Sequence, residues 1–149
     1  MRTYKKFTKE QRSTFPYWFW HWLAFNDVAR EWGVWRPHHI FHDMEKPFLR
    51  IIFPYRFVQK WHRVNNKHHL EYKHPEHRNW EDMVIDWEAS GRTKHACPRN
   101  AIEEANYKLD NHTMCYDDYK TFIATWRRLL KNHNFTKLAK HGNSSKTIR

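Results

Sequence analysis

FPYWFWHWLAFNDVAREW, residues 15–32, carries Trp18, Trp22, Phe25, Ala29 and Trp32 at spacings of four and three, which lines them along one side of an α-helix. Pro16 suits an opening turn and Gly33 a C-terminal stop, so a helix is expected from about Thr14 to Trp32. Its apolar run is about half as long as a membrane span needs and is broken by His21. It reads as a core helix, with His21 facing inward at the margin of the stripe, and no membrane partner is expected.

Working outward, the same spacing recurs. Trp80, Met83, Val84 and Trp87 form a stripe with Asn79 as N-cap, Asp82 in the first turn and Gly91 as stop. Residues 101–109 form another helix, and Tyr116, Tyr119, Ile123, Trp126 and Leu130 line a further one. A helix from Pro37 should end or kink at Pro47. After Pro54, Phe57, Val58 and Trp61 mark another, which would bring His69 two turns beyond His62 if it ran through Asn66. No alternating strand or internal repeat competes. The expected fold is all-α, a single-domain bundle of about five to six helices over residues 14–131. A basic segment, 1–13, precedes it, and a basic, flexible tail, 132–149, follows, because KLAKHGNSSKTIR lacks apolar periodicity.

At 149 residues, with 17% aromatic side chains, one domain can bury a substantial core. Cys97 and Cys115 are too few for a disulfide framework and no signal peptide opens the chain, so a reduced, cytoplasmic protein is expected. The formal net charge of +11 favours anionic partners, either a phosphate-containing small molecule or nucleic acid. Much of it sits at the chain ends, where basic segments are commonly solvated and mobile. The tryptophans read as core, in preference to platforms for stacked bases.

Eight of the 13 histidines (His38, His39, His42, His62, His68, His69, His74 and His77) fall in two runs, HHIFHDMEK and HRVNNKHHLEYKHPEHRNWEDMVIDW. Imidazole and carboxylate are the donors that Mn, Fe, Co, Ni and Zn select. The residues able to face a shared interior are His21, the adjacent pair His42 and Asp43, then His62, His68 or His69, and Asp86. Asp86 falls at the edge of its helix's buried face and needs a partner. A buried His-Asp hydrogen-bond network is the alternative for His42, Asp43 and Asp86, and a His-rich surface loop for His62, His68 and His69. His38, His39, His74 and His77 read as neighbours of the ligands or as solvent-facing. His95 with Cys97, and His112 with Cys115, lack the paired spacing of a structural zinc site.

This ligand order resembles the HD superfamily of metal-dependent phosphohydrolases, all-helical proteins in which a His, a His-Asp pair and a later Asp hold a divalent metal. The extra histidines between the pair and the last Asp resemble its binuclear members. A family of phage and bacterial proteins of unknown function is also similar. Its motifs correspond to His42, Asp43 and Lys46, to His62, Asn66, His68 and His69, and to Met83, Val84, Asp86 and Trp87; the likeness covers about residues 19–89. The resemblance implies one or two divalent ions on His21, His42, Asp43, His62, His68, His69 and Asp86, with Asp43 as a bridging, catalytic carboxylate. Lys46 either contacts a substrate phosphate or is an exposed lysine at a helix end. Two functions follow as expectations: hydrolysis of a phosphate ester, possibly a nucleotide, or non-catalytic, phage-type engagement of nucleic acid or a host complex through a basic surface.

Overall fold

The structure, a computed structural model, describes residues 2–95 and 100–144, with 135–144 as backbone only. It contains α1 Phe15–Glu31, α2 Glu45–Ile52, α3 Tyr55–Asn65, α4 Trp80–Thr93, α5 Ala101–Asp110 and α6 Tyr116–Ser144. Short 3-10 helices lie at Glu10–Ser13, Pro37–Phe41 and Pro75–His77, and no strand occurs among the described residues. The fold is an all-α bundle.

α1 starts after an extended Thr14, with Pro16 in its first turn, and stops at a left-handed Gly33 (φ 71°). There the Gly33 and Val34 amides donate to the carbonyls of Arg30 and Ala29, capping the helix end. Its buried side is His21, Ala24, Phe25, Val28, Ala29 and Trp32. Trp18 and Trp22 are only half-buried, because each indole N–H reaches an acceptor on a neighbouring segment. His21 therefore lies on the buried line itself, not at its margin.

α4 is buried continuously from Asp82 to Trp87 and packs against α1, α5 and α6. Asn79 caps it by accepting from the Asp82 amide at 3.1 Å. The helix runs past the expected stop at Gly91 to a fully buried Thr93, whose carbonyl accepts from the Phe7 amide at 2.9 Å. That contact ties the N-terminal segment to the end of α4. Phe7 is buried, Tyr4 donates to Asp27, and Arg92 grips Glu31 through two bonds of 3.0 and 2.7 Å.

α6 buries Phe122, Ile123, Thr125 and Leu129, whereas Tyr116 is 63% exposed. The inward face is turned about one residue from the expected line, because Phe122 stacks on Trp87 at 4.6 Å and the Tyr119 hydroxyl reaches out to Asn106. The helical backbone continues to Ser144, where a flexible tail was expected. Lysine, leucine and alanine in KLAK extend an already nucleated helix at little cost. Residues 145–149 and Cys97 lie outside the described residues.

Pro47 acts differently from expectation. Pro47 stands in the first turn of α2, where its missing N–H costs nothing, so it opens a helix and does not end one. The residues before it form only a 3-10 turn. α3 ends at Asn65 because Asn66 is extended, and His68 and His69 ride the turn that follows.

The packing separates two substitutions on α6. Phe122→Ala should destabilise the protein by about 3–5 kcal/mol through lost burial and a residual cavity. Tyr116→Ala should cost under about 1 kcal/mol. Urea titrations of both variants check the assignment of the face.

Candidate metal centre

Three donors on α1 position the turn that carries His42 and Asp43. Trp18, Trp22 and Asn26, each four residues apart, donate to the carbonyls of Asp43 (2.8 Å), Ile40 (2.8 Å) and His39 (3.1 Å). Trp35 in turn donates to the Asn26 side-chain oxygen Oδ1 at 2.9 Å. Held in this way, Asp43 adopts a left-handed backbone (φ 58°), a region Asp tolerates better than most residues. Such conformations persist where the surroundings over-determine them.

His21 on α1, His42 and Asp43 on the turn, and Asp86 on α4 form one buried tetrad whose ligand atoms lie within 4.8 Å of one another. His21 Nε2 is 2.9 Å from Asp86 Oδ1 and 3.8 Å from Asp43 Oδ2; His42 Nε2 is 3.4 and 3.6 Å from the same two oxygens. The other oxygen, Asp43 Oδ1, faces His62 Nε2 at 3.0 Å and His68 Nε2 at 3.4 Å. His62, His68 and His69 make a second group with the same close spacing. Asp43 therefore stands between two sets of imidazoles, one oxygen toward each. Both His68 and His69 take part, delivered by the turn and not by a prolonged α3.

Several of these atoms lack the partner that burial requires. His42 Nε2, Asp43 Oδ1, His62 Nε2, His68 Nε2 and His69 Nε2 are buried without a hydrogen bond. A closed His-Asp hydrogen-bond network would pair them, and each orphan costs about 1–3 kcal/mol. Convergent imidazole nitrogens beside a carboxylate are a group that could hold a divalent ion.

The electrostatics agree. Burial opposes ionisation of Asp43, yet His42, Lys46 and His62 hold its carboxyl well below the usual range. Asp86 is likewise held low against burial, by the hydrogen bond with His21 and by the nearby His42 ring. Burial lowers His42 to about 4, leaving it neutral at pH 7, and its ring stacks on Phe25 at 3.6 Å. His69 is also pushed down by burial and by His68. His62 is raised: its burial opposes the charge, but Asp43 and Glu45 together outweigh it.

Lys46 is not an exposed lysine at a helix end. It sits in the first turn of α2, with Nζ 2.5 Å from Asp43 Oδ2, and it lines a cavity of about 650 Å³ over the centre. Tyr17, Trp18, His21, Asp43, His62, His69 and Asp86 also face that cavity, together with Arg12, Arg63 and Lys94.

One participant was missed in the sequence. Glu45 bonds His62 Nδ1 and accepts from Asn66 at 2.9 Å, so it fixes the ring that points Nε2 at Asp43. Carboxylates commonly orient metal-binding histidines in this way. Its only signal was an acidic residue two places after Asp43 in HHIFHDMEK. His38 and His39 turn away to Asp82, at 3.2 and 3.0 Å. That trio has metal-compatible spacing. However, His39 Nδ1 accepts from the Arg36 amide, so its Nε2 proton satisfies Asp82 and the trio ties the turn to α4. His74, His77, His95, His112 and Cys115 are exposed.

An unfolded histidine titrates at about 6.5, whereas folded His42 titrates at about 4. The unfolded chain takes up that proton first, so this contribution to stability is lost as pH falls from about 6.5 toward about 4. His62, raised in the fold, acts with the opposite sign and loses its contribution as pH rises through its folded value. The difference between wild type and His42→Gln, measured as metal-free unfolding free energy against pH, should therefore show the His42 slope in that window. No protein-family model, curated protein or solved structure matches the chain.

Proposed function

We propose that the centre holds one or two divalent ions and hydrolyses a phosphate ester, in the manner of the HD phosphohydrolases its ligand order resembles. The observation that carries this reading is the set of orphaned, buried ligand atoms gathered beneath a cavity with cationic walls. His21, His42, Asp43 and Asp86 would hold one ion, and His62, His68 and His69 with Asp43 a second. The donor chemistry suits Mn, Fe, Co, Ni or Zn. Bound there, such an ion supplies Lewis acidity and a water of lowered pKa.

The chain's own residues have separable tasks in this reading. Asp43 spans the two groups through its two oxygens, and Glu45 keeps the His62 ring in register. Arg12, Lys46, Arg63 and Lys94 line the cavity and draw a phosphate toward the centre. Tyr17 stacks over His21 at 5.8 Å, and burial together with Asp86 and Asp43 keeps it a neutral phenol that can donate a hydrogen bond.

Assays with aryl phosphates and nucleotides test the reading. The chelated protein should be inactive, and Mn, Co, Fe or Ni should restore turnover. Asp43→Ala should abolish it, Glu45→Gln should lose about 10–100-fold in metal affinity or activity, and Lys46→Ala should raise KM more than it alters metal content. Absence of metal-dependent turnover across the panel would overturn the proposal, leaving a structural centre in a protein that binds through its basic surface.

A further inference from the structure

The α2–α3 hairpin turns large apolar side chains outward. Phe48, Ile51 and Ile52, spaced by three and one on α2, are 63%, 81% and 74% exposed; Phe57 and Trp61, four apart on α3, are 49% and 41% exposed. Phe53 packs on Phe57 at 4.8 Å and joins the two rows. α2 buries none of its residues. Isolated exposed apolar residues are ordinary, whereas a contiguous patch marks an interaction surface.

The charge around the patch selects the partner. From Lys46 to Asn66 the chain carries Lys46, Arg50, Arg56, Lys60 and Arg63 and no Asp or Glu. Arg56 and Lys60 each directly precede an exposed aromatic, so cations rim the apolar row. Lysine is depleted at protein interfaces, while aromatic and aliphatic residues beside Lys and Arg characterise helices lying in the plane of an anionic bilayer. No helix among the described residues is long and apolar enough to cross a membrane. That is also why the sequence suggested no membrane partner, but span length does not bear on in-plane docking.

We propose that the α2–α3 hairpin docks the protein on an anionic lipid bilayer. Phe48, Ile51, Ile52, Phe57 and Trp61 enter the headgroup boundary, and Arg50, Arg56 and Lys60 meet lipid phosphates. Phe48, Arg50 and Ile51 also line the cavity over the metal centre, so the docked face adjoins its mouth.

Co-sedimentation of the full chain with phosphatidylcholine vesicles, with and without phosphatidylglycerol, tests this without reference to turnover, so its outcome is independent of the phosphohydrolase reading. Binding should be at least about tenfold stronger to anionic vesicles and should weaken in raised salt. Ile52→Asp with Trp61→Asp lies outside the cavity lining and the core; it should lower binding about tenfold or more with the helical circular-dichroism signal unchanged. Arg56→Glu with Lys60→Glu should lower it comparably and provides a second, independent variant. No binding to anionic vesicles, or binding undiminished in both variants, would overturn the proposal. So would a lipid-free dimer dissociated by Ile52→Asp, which would make a second copy the occupant of this face.

Discussion

Two carboxylates, Asp43 and Asp86, are buried side by side, and both stay ionised. Removing each from water costs several kcal/mol even after relaxation, and their mutual repulsion adds to it. Everything placed around them opposes that cost: His21 and His42 between the pair, His62 and His68 on the far oxygen, and the Lys46 ammonium at the mouth. Because α1, the 37–44 turn, α3 and α4 each contribute to this set, the elements cannot shift independently. A divalent cation would complete the compensation that the side chains begin.

The architecture around the centre is correspondingly polar. α1 holds the 37–44 turn through Trp18, Trp22 and Asn26, and the same turn is fixed to α4 through His39 and Asp82. The apolar core proper is shared by α1, α4, α5 and α6, from Phe25 beside His42 to the stacked Trp87 and Phe122. The division leaves α2 and α3 with little core of their own. That accounts for the exposed apolar surface of α2 and α3 at the cavity mouth.

Helix content was legible because aromatic residues at three-and-four spacing have few other uses in a chain with 3 Gly. That His21, His42, Asp43, His62, His68, His69 and Asp86 gather was legible because His and Asp at inward positions need a reason to be there. Which neighbour faced inward was not, since Trp18, Trp22 and Tyr119 look apolar in a sequence yet turn a polar atom toward a partner. Hence α1 buries Phe25, Ala29 and Trp32 as expected but His21 in place of Trp22, and α6 sits about one residue away from the expected face. The proline at 47 was ambiguous in itself, because the same ring ends one helix and begins another. Glu45 escaped notice because its role depends on His62, seventeen residues on, returning beside it.

The left-handed backbone at Asp43 has a consequence for how this site could vary over time. Glycine or asparagine would adopt the same φ with less strain but would remove the charge; glutamate would keep the charge but would place it a methylene further out on a backbone it tolerates less well. The position answers to two unrelated demands, conformation and chemistry, and no single replacement meets both. A chain that lost Asp43 would leave His62 Nε2 and His68 Nε2 facing a buried position without its carboxylate, so substitutions at the three positions should be coupled and not independent.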